Sequence, residues 1–442
     1  MNRDFYSGKD VLVVGFGLSG RAAASFLIDR CASVTVVDRH AEQLKTDLGV
    51  TLLSDSEVLD VKRYAFVVIS PGVSQNHPII QSALQNGVEV IGEIELACRH
   101  VRQPFLGITG TNGKTTVSLL VGHVLNHAGI KAKVLGNVGI PLIAEIPEAT
   151  DETIVCELSS FQLETLRSKV IDAAVILNIT PDHLDRYASM QGYARAKIQI
   201  HACMKEGSAL YVGKKVYEEY HSLFEGFVPK TFGFSPDCDL YCDQKSLIVK
   251  ENIELILRGR YRDRSSHDVE NVMAAFALCK KVGVSADVFC EALKTFEKPP
   301  HRIEFVRECL GVRFYNDSKG TNPDAVMRAV DSLSGRVILI AGGVAKGNSF
   351  EPWLKAFSSK VRHIYAIGEA QGEIRDALSK SFPVVLCETL ESAVQQAFAI
   401  AETGDCVLLS PGCASFDMFK NYAHRGDRFK EIVQALEGVM LS

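Results

Sequence analysis

The sequence predicts an α/β protein of three domains built on parallel sheets, and three observations carry that expectation. The chain has 442 residues, more than one hydrophobic core usually organises; at about 100–200 residues per domain this suggests two to four domains. Short β-branched runs alternate with helical stretches, the rhythm of parallel strands covered by crossover helices. That alternation restarts twice, at a second glycine-bearing turn and again after a pair of prolines.

The first alternation runs through VLVVG at 11–15, a helical stretch from about 18 to 29, SVTVVD at 33–38 and AFVVIS at 65–70. The second opens at FLGITGTNGKTT, residues 105–116, and continues with a helix over 116–128 and strands near 153–157 and 173–178. Between them Gly92-Glu93-Ile94 offers a single glycine, which places the first boundary near 93. In Lys298-Pro299-Pro300-His301-Arg302 the prolines break any helix arriving from 286–296, because proline lacks the N–H that a helix interior needs. Strands at 312–316, 336–341, 363–367 and 405–409 follow. The expected domains are 1–93, 94–298 and 299–442.

Apolar residues at 47% and charged residues at 23% describe an ordinary globular chain able to bury real cores. A net charge of -5 with no run of Lys and Arg argues against a nucleic-acid partner. The start MNRDFYSGKD leads only into a short strand, and no segment approaches the ~18 apolar residues a bilayer span requires. Neither export nor membrane insertion is expected. The 12 cysteines are scattered singly, and Cys238 and Cys242 lack a second pair at metal-ligand spacing; reduced thiols and a cytoplasmic setting follow.

Gly15-Phe16-Gly17-Leu18-Ser19-Gly20 follows a strand and opens a helix, and Asp38 ends the next strand, as in the dinucleotide fingerprint. Alone, this says NAD or FAD, and an NAD-dependent oxidoreductase stays open on residues 11–38. The physics is less selective, since a glycine turn at a helix N-terminus suits any nucleotide diphosphate, and a tight turn without ligand is the bland alternative. Ile108-Thr109-Gly110-Thr111-Asn112-Gly113-Lys114-Thr115-Thr116 is a second phosphate loop. Its N–H groups can wrap phosphate oxygens, Lys114 can reach the outer phosphates and Thr115 can ligate magnesium. Ile108 stands where the general Walker pattern wants glycine.

Two phosphate loops imply two nucleotides, which suits a kinase or ligase better than an oxidoreductase. A nonenzymatic nucleotide switch is the third possibility. Glu157 in CELSSFQLE, Asp182 and His183 in NITPDHLDRY and Lys197 in ARAKIQI are plausible magnesium and phosphate ligands. Each has an ordinary reading too: a helix cap, a loop histidine, one lysine among many. Asn316-Asp317-Ser318-Lys319-Gly320-Thr321-Asn322-Pro323 reads equally as a site or as a helix N-cap followed by proline.

Taken together, these residues resemble the Mur ligase superfamily over essentially the whole chain. TGTNGKTT, ITPDHLDRY and the pair His301-Arg302 are shared by that superfamily, which includes folylpolyglutamate synthase. SPGV at 70–73, NDSKGTNPDA at 316–325 and SPGCASFDMFKNYAHRGDRF at 410–429 point to its D-glutamate-adding branch. The Asp-Asn-Pro-Arg motif of the meso-diaminopimelate-adding branch is absent, and the glycine-rich first domain is not expected of folylpolyglutamate synthase.

The resemblance implies a Rossmann-like first domain, a central P-loop ATP-binding domain and a Rossmann-like last domain. It implies a cytoplasmic ligase of peptidoglycan precursor synthesis, using ATP and two magnesium ions to join D-glutamate to UDP-N-acetylmuramoyl-L-alanine. The substrate carboxylate would attack the γ-phosphate to give an acyl phosphate, which the amine of D-glutamate then opens. Leu18, Ser19, Asp38, Ser70, Gly72, Asn137 and His183 would hold the UDP-substrate. Residues Gly110 to Thr116, with Asn271, Arg302 and Asp317, would hold ATP. Thr115, Glu157, His183 and a carbamylated Lys197 would hold magnesium, and Lys114, His183 and Lys197 would be the catalytic group.

With the first two domains so occupied, D-glutamate falls to the third. There Lys346 can supply a cation, Thr321 a donor, Ser415 a hydroxyl and a backbone N–H at the start of a helix, and Tyr422 an apolar wall. Arg39-His40 after Asp38 and the lack of an acidic residue in Gly-Gly-Val-Ala-Lys at 342–346 depart from the family's pattern. A monomer is the default expectation.

Overall fold

The computed structural model describes residues 5–30, 32–146, 151–243, 246–249, 253–256, 266–357 and 359–436. Strands β1 (Asp10–Val14), β2 (Ser33–Val37), β3 (Thr51–Leu53), β4 (Phe66–Ile69) and β5 (Glu89–Gly92) form a parallel sheet in the order β3-β2-β1-β4-β5. Val11 to Val14 and Phe66 to Ile69 are all buried, which is why these strands read as continuous apolar runs and not as alternating ones. Helix Leu18–Ile28 packs its buried Ala23, Ala24, Phe26 and Leu27 beside β1.

The second sheet contains β6 (Phe105–Thr109), β7 (Ala132–Gly136), β8 (Thr153–Glu157), β9 (Ile171–Ile176), β10 (Met204–Gly213), β11 (Lys230–Gly233), β12 (Leu240–Cys242), β13 (Ser246–Val249) and β14 (Ile253–Ile256). Their order is β14-β13-β12-β11-β10-β9-β6-β8-β7. Only the pairs β12–β13 and β13–β14 are antiparallel. Helices Lys114–His127, Ser266–Lys281 and Ala286–Thr295 share one apolar core with β6, β8 and β9.

The third sheet runs β15-β16-β20-β17-β18-β19, from β15 (Glu304–Cys309), β16 (Val312–Asn316), β17 (Val337–Gly342), β18 (Val361–Ile367), β19 (Val384–Cys387) and β20 (Cys406–Leu409). It is parallel apart from the β15–β16 hairpin at one edge. One of its cores gathers around Trp353 and the other around Phe314 and Phe429. Trp353, the only tryptophan of the chain, is fully buried, and its indole N–H donates to the carbonyl of Pro323 at 3.0 Å.

The chain condenses into two compact units. One comprises Met1–Asn178, Gln191–Arg262 and Val269–Phe296; the other comprises Ile179–Met190, Asp263–Asp268 and Glu297–Ser442. Within the first unit two buried glutamates tie the first sheet to the second. Glu95 accepts from Arg167 N, Ser168 N, Ser168 Oγ and Arg99 Nε. Glu93 accepts only from Ile143 N at 2.8 Å, its Oε2 buried with no partner, and burial pushes its carboxyl up to about 7. Among the described residues no helix is long and apolar enough to cross a membrane.

Candidate functional site

The carboxyl ends of β1, β2 and β4 open into a cavity of 640 Å³ in the first unit. It lies at the switch point between β1 and β4, where open parallel sheets place their ligands. Leu18, Ser19, Asp38, Ser70, Gly72 and Asn137 all line it. A Cβ on Gly20 would overlap the carbonyl of Gly15, so only glycine lets the helix start so close to the loop. Ser70 Oγ donates to that same Gly15 carbonyl at 2.8 Å. Asp38 accepts from Phe16 N and His40 N, each at 2.8 Å. Its carboxylate therefore pins the glycine loop to the end of β2.

Asp55, His77, Pro141 and Gln162 also line the cavity, and none of them stands out in the sequence. His77 Nδ1 accepts from Ile79 N at 3.4 Å, which leaves the proton on Nε2, 4.0 Å from Asp55 Oδ2. The one available signal was its place before Pro78, the first residue of helix Pro78–Gln85.

The phosphate loop joins β6 to helix Lys114–His127, which starts two residues before its expected position. Gly113 is the N-cap at φ +90°, and a Cβ there would overlap Asn271 Oδ1; both facts require glycine. Lys114 Nζ donates to the carbonyls of Gly110 at 2.9 Å and Thr111 at 2.8 Å. Lys197, on helix Met190–Ile198 and 1% exposed, donates to the same Gly110 carbonyl at 2.7 Å and lies 4.6 Å from the Tyr193 ring. Two ammonium groups thus converge on one oxygen.

Glu157 ends β8, paired with Ile108 of β6 and thus one strand across from the loop. Its Oε1 accepts from Asn137 Nδ2 at 2.9 Å, while Oε2 is buried without a hydrogen-bond partner. Buried carboxylate oxygens are normally satisfied, and a divalent cation is one partner that suits such an oxygen. Among the described residues no three His, Cys, Asp or Glu side chains are grouped to hold a metal. An ion at Glu157 would therefore need other ligands, such as the Thr115 hydroxyl, a lysine carbamate or phosphate oxygens. Asn137 joins this carboxylate to the cavity it lines.

In the second unit Asp182 Oδ1 accepts from Lys346 Nζ at 3.0 Å and from His183 N at 3.0 Å, and Oδ2 from Asn322 Nδ2 at 3.3 Å. His183 has φ +55°, an uncommon conformation outside glycine that marks sites held by their surroundings. Lys346 Nζ also donates to Thr321 Oγ1 at 3.4 Å. Lys346 and Thr321 are thereby brought together, with an acidic partner supplied by Asp182 and not by the loop of Lys346 itself.

Asp317 is buried and accepts from Ser410 Oγ at 2.7 Å and Ile303 N at 3.2 Å. Burial pushes its carboxyl up to about 7, against the pull of the Ser410 bond and of the Arg302 and Lys298 charges. His301 Nδ1 is bonded by Asn316 Nδ2 at 2.9 Å, and burial lowers the pKa of its ring. Tyr422 is half-buried, with Lys319 Nζ 3.9 Å from its ring centre and the His301 ring edge-on at 6.0 Å.

One expectation is corrected. Ser415 is buried but does not start a helix. Its carbonyl accepts from Phe419 N at 2.8 Å in an isolated turn, and the chain is extended again at Asn421, φ -167° and ψ 177°. Asn421 then caps helix Tyr422–Ala435. Ser415 has no helix N-terminus of its own to lend.

Family models match the chain in three stretches: "Mur ligase MurD-like, N-terminal domain" at residues 9–92, "Mur ligase middle domain" at 108–279 and "Mur ligase, glutamate ligase domain" at 301–413. A UDP-N-acetylmuramoylalanine--D-glutamate ligase of Protochlamydia amoebophila is 48% identical over 440 residues, covering 98% of this chain and 99% of the relative. A relative of the same name from Caldanaerobacter subterraneus is 39% identical, covering 97% and 98%. Among solved structures, the UDP-N-acetylmuramate-alanine ligase MurC of Thermotoga maritima superposes with a TM-score of 0.60 at 19% identity, over 97% of this chain and 99% of that one. MurF of the same organism, in complex with ADP, also gives 0.60, at 15% identity over 98% and 97%. At such identities the likeness shows the fold.

Proposed function

The chain belongs to the Mur ligase family, and on that premise we propose that it joins D-glutamate to UDP-N-acetylmuramoyl-L-alanine, converting ATP to ADP and phosphate in the cytoplasm. The observation that carries this reading is the cavity lined by Leu18, Ser19, Asp38, Ser70, Gly72 and Asn137, with Asn137 bonded to Glu157 beside the phosphate loop. A substrate whose nucleotide fills the cavity would present its far end to that loop. The names and near-complete coverage of the two relatives support the choice of D-glutamate. Residues 1–93 are assigned to the UDP-substrate, 94–298 to ATP and 299–442 to the amino acid.

In this scheme the alanine carboxylate attacks the γ-phosphate to give an acyl phosphate, and the amine of D-glutamate displaces phosphate from it. Gly110 to Thr116 and Asn271 cradle the triphosphate, and Lys114 leaves its loop carbonyls to neutralise the outer phosphates. Arg302 and Asp317 complete the ATP set, and His183 approaches the muramoyl part. Glu157, Thr115, His183 and Lys197 as a carbamate would hold two magnesium ions, which supply positive charge to the transferring phosphoryl group. The pair of ammonium groups on Gly110 O favours the carbamate: like-charge repulsion favours loss of a proton from Lys197, whose neutral amine would add to carbon dioxide and release a second proton, leaving an anion in place of one of the two cations. Lys346, Thr321, Ser415 and Tyr422 receive D-glutamate, whose carboxylates take over Lys346 from Asp182.

Measuring phosphate release with each substrate omitted in turn tests the proposal. Release should require ATP, UDP-N-acetylmuramoyl-L-alanine and D-glutamate together. Equal release with L-alanine or meso-diaminopimelate in place of D-glutamate would reject the assignment of amino acid.

A further inference from the structure

The segment HRGDRF marks the chain as a member of its branch, yet the ligation gives Arg425 no task. Arg425 stands in the first turns of helix Tyr422–Ala435 and is 1% exposed. Its Nε donates to Ser318 Oγ at 3.0 Å and its Nη2 to the carbonyls of Ser318 at 2.9 Å and Cys413 at 3.2 Å. Nη1 reaches the carbonyls of Gly342 at 3.5 Å and Ala414 at 3.4 Å. The partners are four carbonyls and one hydroxyl, and they come from three separate loops.

Those loops are the ones that carry the amino-acid set. Ser318 precedes Thr321 by three residues, Gly342 ends β17 four residues before Lys346, and Cys413 and Ala414 precede Ser415. Two of the loops also bridge directly, Val344 and Ala414 exchanging backbone bonds of 2.9 Å each way. Ser318 Oγ in turn donates to the carbonyl of Tyr422 at 2.7 Å, so the guanidinium also fixes the turn that presents Tyr422.

Burying a guanidinium is costly unless its donors are met; Asp417 and Asp317 act on it only through space, and its donors are met by one hydroxyl and by backbone that has to hold one shape. An apolar side chain would fill the same volume without that cost. We propose that Arg425 is a positioning residue for D-glutamate, a planar clamp that sets the relative placement of Thr321, Lys346 and Ser415. This inference rests on the assignment of D-glutamate to the third domain. It adds that one buried side chain, out of reach of solvent, governs how well those groups converge.

The test compares Arg425→Lys, Arg425→Ala and Lys346→Ala in the full chain. Lysine keeps the charge and loses the planar fork. Arg425→Lys should raise KM for D-glutamate by about tenfold or more, as misplaced donors leave polar groups unpaired, with a smaller fall in kcat. The Kd of the UDP-substrate by calorimetry should stay unchanged, which also reports a folded first unit. In Arg425→Ala, millimolar methylguanidinium should lower KM for D-glutamate again, and ethylammonium should not.

An unchanged KM for D-glutamate in Arg425→Lys, with a raised KM in Lys346→Ala, would overturn the role of Arg425 and leave the amino-acid site in place. Equal losses in kcat and in all three KM values, without guanidinium rescue, would reduce Arg425 to a fold residue and overturn the proposal. If Lys346→Ala also leaves KM for D-glutamate unchanged, the site assignment itself fails.

Discussion

Lys114 and Lys197 both donate to the carbonyl of Gly110, so the resting loop already holds the charge that a triphosphate would need. Lys114→Ala should therefore slow acyl-phosphate formation by roughly 10²–10³, or about 3–4 kcal/mol of transition-state stabilisation. Rapid-quench detection of the intermediate checks this, and a near-normal rate would remove the phosphate-loop assignment. Glu93 gives a prediction of a different kind. Its carboxyl is raised to about 7 in the fold, against an ordinary value of 4.5, because burial opposes the charge. A raised carboxyl stabilises the fold while it is neutral, so the contribution is complete below about 4.5 and is lost as pH climbs through about 7. Glu93→Gln keeps an acceptor for Ile143 N and removes the titration. It should be nearly neutral in thermal unfolding at pH 5 and stabilising by a few kcal/mol at pH 8, at about 1.4 kcal/mol for each tenfold change in proton affinity. A wild-type Tm equal to that of the variant at both pH values would contradict it.

At the level of elements, the loop Gly15–Gly20 works because helix Leu18–Ile28 begins against the carbonyl of Gly15. Gly20→Ala should push that helix away and weaken UDP-substrate binding by at least about tenfold, with a loss of stability on the order of 1–3 kcal/mol from overpacking. Calorimetric titration and a thermal melt measure the two effects separately. This element was legible in sequence because strand, glycine spacing and Asp38 all fall on one continuous stretch. The strands buried on both faces were legible for the same reason, as runs such as VLVVG. His77 and Asp55 were not, since only the tertiary fold brings the loop after β3 to the start of helix Pro78–Gln85. Ser415 was misread because SPGCASF resembles the entry to a helix, whereas its turn closes on Phe419 and the helix waits for Asn421. The Lys346–Asp182 pair lay beyond sequence reasoning, as its members are 164 residues apart.

At the level of the whole molecule, the UDP-substrate on its own should act chiefly on the first compact unit, whereas the residues assigned to ATP belong to both units. UDP-N-acetylmuramoyl-L-alanine alone should slow amide exchange around residues 15–20, 70–77 and 136–141, which line the cavity of the first unit. At 100 times its Kd it should add about 2.7 kcal/mol to that unit's stability. Exchange that slows equally around 317–322 and 342–346 would contradict separate responses. Such experiments gain from where Trp353 lies. As the chain's only indole, sealed in the core beside β17 and hydrogen-bonded to Pro323, it makes the second unit alone visible when emission is excited at the red edge. Helix Pro323–Ser332, which begins at that bond, is capped by the same Asn322 that donates to Asp182. A spectral change during titration with D-glutamate would thus be a native optical readout of the unit that carries Lys346, obtained without a label, while melting confined to the first unit would pass dark.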